Sequence, residues 1–256
     1  MKPVPMVNRV DPPAGLPKAV LFDLDGTLYD QRPLRRSMLW ELARAPLTKG
    51  PLGALRIARV LKSFRIRREE LRALGDCEVA VGTIQYQRPA DELGISAATV
   101  ETIVTEWMYE KPLRHLRAAG RPNLRAILER LRGAGLQLGC FSDYPPRAKL
   151  EALGVDDLFG VAVGATDADI HAFKPHPRGF LAAAAALGVE PCDAIYVGDR
   201  HELDGAGADA AGMRSVILET GMQHVGEHGE ASARSTGAHC QTIHTFAELP
   251  DALGIA

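Results

Sequence analysis

Five short apolar runs recur along the chain, at Ala19 to Leu24, Gln137 to Phe141, Gly160 to Val163, Ala194 to Val197 and Ser215 to Leu218, with helix-like segments between them. Runs of this length are the size of buried strands rather than of helices. Strands that alternate with helices predict a parallel sheet with helices on its faces, because parallel neighbours can be joined only by a crossover. The helix-like stretches are Asn123 to Arg132, Pro146 to Leu153, Pro177 to Leu187 and Asp204 to Ala211. Each is followed closely by a glycine, as where a helix stops in a left-handed residue.

Between the first and second runs roughly a hundred residues intervene, where a plain crossover needs only a few tens. This spacing predicts an insertion. Within it Ile57, Val60, Leu61 and Phe64 follow the i, i+3, i+4, i+7 pattern of an amphipathic helix, and Leu34 to Ala45 and Ala97 to Met108 also read as helical. The expected architecture is therefore α/β: a Rossmann-like parallel sheet core from residues 1–30 and 122–256, flanked by helices, with a mainly α-helical insertion over 31–121. Trp40 and Trp107 are expected to pack inside that insertion.

Hydrophobic residues at 46%, charged residues at 24% and a net charge of −2 place the chain among folded globular proteins and exclude disordered, fibrous and membrane-spanning classes. Met1 to Leu16 has no continuous apolar run and reads as a loose leader to the first strand. Cys77, Cys140, Cys192 and Cys240 are dispersed without a C-x-x-C pair, so neither a zinc site nor a disulfide framework is expected. A cytoplasmic location is the simplest expectation. The charge is uneven: Gln31 to Gly75 holds twelve Lys or Arg against three Glu, a local +9. Such a stretch reads as a solvated basic face, as an attractor of an anionic substrate through residues such as Arg35, Arg56, Arg59 or Arg65, or as a surface for a polyanion or anionic membrane. No nucleic-acid reader motif accompanies it, and no nucleic-acid partner is expected.

The chemistry gathers at the ends of the apolar runs. Asp23-Leu24-Asp25-Gly26-Thr27 closes the first one, and a period-two backbone sends both carboxylates to one side, where one can attack and the other handle a proton. Gly26 permits a tight turn and close backbone approach. Ser142 and Asp143 end the second run, offering a hydroxyl to a phosphate oxygen. Lys174 lies between Phe173 and Pro175-His176-Pro177, where prolines hold a cation just ahead of a helix. Asp199, followed by Asp204, ends the fourth run and suits a hard cation such as Mg²⁺. Taken singly, Asp23 to Gly26 also reads as an acidic strand end capped by a Gly turn, though chemistry is the better reading there, whereas Ser142 alone reads better as a turn or helix cap and Lys174 alone as a solvated charge. His224 and His228 have i, i+4 spacing but sit in a Gly-rich stretch without helical patterning, and Cys140 reads as core.

In their order, D-L-D-G-T-L, F-S-D, K-P-H-P-R-G-F and V-G-D-R-H-E-L-D-G-A-G-A-D-A-A-G-M resemble the motifs of the haloacid dehalogenase-like phosphatases. The resemblance implies Asp23 as the nucleophile that forms an aspartyl-phosphate, and Asp25 as the acid that protonates the leaving oxygen and then activates water. Ser142 and Lys174 would hold the phosphoryl group, with backbone N–H groups near Gly26 and Asp143. Mg²⁺ would be held by Asp23, Asp199 and the Asp25 carbonyl, with Asp204 orienting Lys174 or metal-bound water. It also implies a helical cap over the site and hydrolysis of a small phosphorylated metabolite. The carboxylate at Asp25 argues against dehalogenation. A phosphomutase of the same fold, or a noncatalytic binding protein with a basic cap, are the alternatives. Asp143 stands where relatives often carry Asn, which predicts repulsion of phosphate unless a cation pairs with it; Arg200 stands where a small hydroxyl residue is common.

Overall fold

The computed structural model describes residues 15–75, 80–220 and 240–255. Most of the leader, Cys77, His224 and His228 lie outside the described residues. Strands β1 (Ala19–Phe22), β2 (Gln137–Ser142), β3 (Val161–Gly164), β4 (Ala194–Gly198), β5 (Arg214–Leu218) and β6 (Cys240–Ile243) form one sheet in the order β3-β2-β1-β4-β5-β6. Every pairing is parallel. β1 lies in the middle, with Phe22 level with both Cys140 of β2 and Val197 of β4. The chain winds outward from β1 in both directions, so the crevice where the strand order reverses opens at the carboxyl ends of β1, β2 and β4.

Alternate residues along the strands enter two separate cores. Val20, Phe22, Leu138, Cys140, Ile195 and Val197 pack on one face of the sheet, and Ala19, Leu21, Phe141, Ala194 and Tyr196 on the other. With both faces covered, the four inner strands β1, β2, β4 and β5 are near-continuous apolar runs, and the edge strand β3, half-buried at Val161 and Ala162, is apolar as well, so all five expected strands are present. β6 was not expected. It is an edge strand, its exposed Gln241 and Thr242 leave it no apolar run, and the edge position spares it from needing one.

The helices are α1 (Gln31–Ala73), α2 (Val81–Leu93), α3 (Ala97–Val104), α4 (Leu113–Ala119), α5 (Leu124–Gly133), α6 (Arg147–Leu153), α7 (Arg178–Leu187), α8 (Ala206–Ala210) and α9 (Leu249–Ala252). Gly154, Gly188 and Gly212 follow α6, α7 and α8 in the left-handed region, as their positions predicted. The helix expected from Asp204 begins instead as a wider turn over His201–Gly205 that continues into α8.

The first four helices form the insertion after β1. α1 is broken at Gly50 (φ 73°, ψ 164°), which precedes Pro51. Met38, Leu42 and Ala45 before the break share one apolar cluster with Ala54, Ile57 and Leu61 after it, so the two arms fold back on each other as a hairpin. Val60 and Phe64 join Ala90, Val100 and Val104 in a second cluster that ties α1 to α2 and α3. Trp107 is buried in the first cluster, as expected. Trp40 is not: it is 73% exposed on the outer side of α1. Position on an amphipathic helix, rather than residue type, decided its burial.

Candidate active site

Asp23 follows β1 directly, and its N–H donates to the Val197 carbonyl at 2.8 Å, extending the β1–β4 pairing by one residue. Its carboxylate is thereby held at the sheet edge, 5% exposed. Lys174, equally buried, donates from Nζ to Asp23 Oδ1 and to Asp204 Oδ1, the latter at 2.8 Å. Thr27 Oγ1 donates to the other Asp23 oxygen at 3.2 Å.

Asp204 is fully engaged. Its Oδ2 accepts the backbone N–H groups of Asp199 (3.1 Å) and Arg200 (3.0 Å), which closes the wide turn after β4 and fixes Asp199. Any side chain at Gly198 would overlap the Asp204 carboxylate, and any at Gly26 (φ 111°) would overlap that of Asp199. These two glycines let the carboxylates approach. Asp23, Asp199 and Asp204 each offer an oxygen within 4.8 Å of the others.

Such crowding has an electrostatic consequence. Burial pushes the Asp23 carboxyl up to about 7; Lys174 opposes the rise, and Asp204 and Asp25 add to it. Asp199 is pushed well above the ordinary carboxylate range by burial and by its neighbours Asp23 and Asp204. Burial alone would discharge Lys174, but Asp204 and Asp23 overcome it and hold the ammonium charged. Three carboxylates around one ammonium leave negative charge uncompensated, and an all-oxygen donor set of this kind fits a hard divalent cation such as Mg²⁺.

Asp25 turns to a different cation. Lys149, from the first turn of α6, donates to its Oδ1 at 2.5 Å and its Oδ2 at 2.7 Å, while Tyr29 Oη donates to Oδ1. Ser142 Oγ reaches Asp25 Oδ2 at 3.5 Å. The Asp25 carbonyl, expected to face a metal, accepts from the Gln31 side-chain amide.

Asp143 is paired, and the repulsion expected of it is thereby removed. Its Oδ2 accepts from Arg72 at 2.6 Å and its Oδ1 from the Lys174 N–H at 3.1 Å. Burial would raise its pKa, but Arg72, Lys174 and Arg68 together hold it below the ordinary value. Arg72 also donates to the Lys174 carbonyl at 2.8 Å. Arg68, 1% exposed, lies 4.0 Å from the Tyr144 ring centre and 4.2 Å from that of Phe173, with its guanidinium on the Gln85 amide oxygen and the Asp143 carbonyl. Two arginines of α1 thus fasten the insertion to both loops that carry the site. Arg200 pairs with Glu202, and its charge is among those that oppose the rise at Asp199.

The structure gathers Asp23, Asp25, Gly26, Ser142, Asp143, Lys174, Asp199 and Asp204 at one edge of the sheet. Sequence reasoning missed Lys149, Tyr29, Arg68 and Arg72. Lys149 carried no signal beyond its place two turns after Ser142, and the two arginines were hidden among twelve cations of one stretch.

The family model for haloacid dehalogenase-like hydrolase matches residues 17–212. The chain belongs to the haloacid dehalogenase-like hydrolases. Among its relatives, a glyceraldehyde 3-phosphate phosphatase of Methanopyrus kandleri is 31% identical over 80% of this hydrolase and 84% of the relative. A phosphoglycolate phosphatase of Rhodospirillum rubrum is 32% identical over 93% of this chain and 92% of the relative. In fold the hydrolase is similar to a 2-haloacid dehalogenase of Pseudomonas syringae (TM-score 0.66, 24% identity, 93% of this chain and 99% of that one). It is also similar to a HAD phosphatase of Thermococcus onnurineus (TM-score 0.56, 24% identity, 93% and 98%).

Proposed function

We propose that this hydrolase is a Mg²⁺-dependent phosphomonoesterase acting on a small phosphorylated metabolite through an aspartyl-phosphate. The observation that carries the reading is the buried Lys174 bridging Asp23 and Asp204 beside Asp199, a site in which one carboxylate can attack while a fixed cation meets a phosphoryl oxygen. The phosphatases among its relatives act on phosphorylated two- and three-carbon compounds by name, and this chain's substrate is proposed to be of that small class.

In this reading Asp23 attacks phosphorus and Asp25 protonates the leaving oxygen, then takes a proton from the water that hydrolyses the aspartyl-phosphate. Lys174 and Ser142 hold the transferring group. Asp23 and Asp199 would hold Mg²⁺, with Asp204 positioning both Lys174 and the Asp199 backbone; bound there, the ion supplies Lewis-acid polarisation of the phosphoryl oxygens. The insertion serves as a cap that excludes water.

Phosphate release from a panel of phosphomonoesters, with and without Mg²⁺, tests the reading. Stoichiometric, metal-dependent release is expected from wild type and not from Asp23→Asn; transfer to a second hydroxyl without release would indicate a mutase. Two further results are expected. Mg²⁺ should raise the melting temperature of wild type but not of Asp199→Asn, whose metal-free form should melt no lower than metal-free wild type, since its charge is disfavoured by burial, Asp23 and Asp204. A Mg²⁺ shift in the variant as large as in wild type would remove Asp199 from the metal site. Lys149→Met should lower kcat by about tenfold or more with KM little moved, by leaving Asp25 unpositioned, and Lys149→Arg should recover part of the loss. An unchanged kcat would make Lys149 only a charge partner.

A further inference from the structure

The tip of the α1 hairpin is apolar where it should be polar. Leu47 and Leu52 flank the break at Gly50 and are 82% and 83% exposed, and Leu55 and Trp40 are also in solvent. Trp40, Arg44 and Leu47 follow i, i+4, i+7 spacing on one arm, and Leu52, Leu55, Arg56 and Arg59 follow i, i+3, i+4, i+7 on the other. Each arm thus presents an outer stripe with leucine at the tip and arginine behind it. Glu41 is the sole acid from Gln31 to Arg68, and Arg114 holds it at 2.7 Å. The stripe therefore has no acid of its own beside Arg44 and Arg56, although Glu92 lies near Arg59 and Glu106 near Lys49, and nothing in the hydrolase reaction uses it.

Charge selects the occupant. A second copy of the chain, placed across a two-fold axis, would set the tip's Arg44, Lys49, Arg56 and Arg59, with no acid between them in the sequence, against themselves. A nucleic acid would meet the arginines and leave four large apolar side chains in water. A bilayer with anionic headgroups satisfies both: leucines enter the acyl boundary, an indole sits at headgroup depth, and arginines meet phosphates. We propose that the α1 tip docks this hydrolase peripherally on an anionic membrane surface, with Leu47 and Leu52 inserting, Trp40 at the interface, and Arg44, Arg56 and Arg59 in the headgroup layer.

Co-sedimentation of the full chain with vesicles of mixed phosphatidylglycerol and phosphatidylcholine, against pure phosphatidylcholine, tests this independently of catalysis. Wild type should bind the mixed vesicles at least about tenfold more tightly than the neutral ones, and Leu47→Ser/Leu52→Ser and Arg56→Glu/Arg59→Glu should each lose about tenfold or more. Tryptophan emission should shift to the blue on the mixed vesicles and the shift should vanish in Trp40→Phe, because Trp107, the other tryptophan, is already buried. All substituted side chains are exposed, so melting temperatures matching wild type verify the fold. Absence of wild-type binding, binding unchanged by the leucine substitutions, preference for duplex nucleic acid, or self-association abolished by those substitutions without vesicle binding would each overturn the proposal.

Discussion

Asp23→Asn should lower Mg²⁺-dependent phosphate release by about 10⁴-fold or more, the scale on which removing a covalent nucleophile acts. An amide can occupy the space of the carboxylate and still accept from Lys174, but it cannot displace an alkoxide from phosphorus. The folded state should hardly notice. The Asp23 carboxyl is pushed up to about 7 chiefly by burial, so the native structure tolerates its charge poorly, and Lys174 keeps Asp204 as a partner at 2.8 Å. The expected variant is therefore inactive, folded and still able to bind substrate. Binding of inorganic phosphate or of the best substrate, measured by calorimetry, should stay within about tenfold of wild type while turnover collapses, the pattern of an interaction made only on the way to the transition state. Residual turnover within about tenfold of wild type would transfer the nucleophile's role elsewhere and with it the aspartyl-phosphate.

The sheet was legible because its inner strands are buried on both faces. A strand that must be apolar at every position stands out as a run, and the five runs match β1 to β5 to within two residues at each end. Of the two edge strands, β3 keeps an apolar run and was found, whereas β6 carries exposed Gln241 and Thr242 and escaped. The residues at the site were legible for a related reason: Asp23, Ser142 and Asp199 stand at or just beyond the ends of those runs, so placing the strands places them, while Lys174, ten residues past β3, was marked instead by the prolines ahead of α7. What sequence patterning could not reach is what meets those residues from elsewhere in the chain. Lys149 approaches Asp25 from a helix whose one other cation, Arg147, is exposed, and only tertiary packing distinguishes the two. Arg72 and Arg68 come from α1, roughly seventy residues before Asp143 in the chain, and no periodicity on a helix announces that a basic side chain will cross to another layer. The apparent defect at Asp143 had its answer there: the carboxylate that should repel phosphate is spent on Arg72, and so becomes a joint between the insertion and the loop after β2. The position of Trp40 was misjudged on residue type, and that error is what exposes the unpartnered tip of α1.

Lys174→Met should destabilise the metal-free protein by about 3–5 kcal/mol, the cost of removing one partner from a buried ionic cluster. Methionine retains the length and apolar stem of lysine, and the nearby Phe141 and Tyr196 rings can pack on it, so the loss is electrostatic rather than a cavity. The lysine is 3% exposed and its two acceptors, Asp23 and Asp204, have no room to be rehydrated in its absence. The loss must depend on pH, with a definite sign. Without the ammonium the Asp23 carboxyl loses the charge that opposed its rise and holds its proton more tightly in the folded state than in the unfolded chain, so the folded protein binds more protons, and stability falls as pH rises from the unfolded value of about 4 through and beyond the wild-type Asp23 value of about 7. The deficit of the variant should accordingly be small near about pH 5 and largest near about pH 8, when urea unfolding is compared at the two values. Asp204→Asn should restore part of the deficit at the higher pH, since it removes one of the stranded charges, although it weakens the acceptor that the Asp199 and Arg200 N–H groups share. Mg²⁺ should restore more, because a divalent cation among Asp23, Asp199 and Asp204 replaces the missing positive charge. A deficit equal at both pH values, and unmoved by Asp204→Asn or by Mg²⁺, would mean that Lys174 contributes packing alone and that the balance of charge described for this site is wrong.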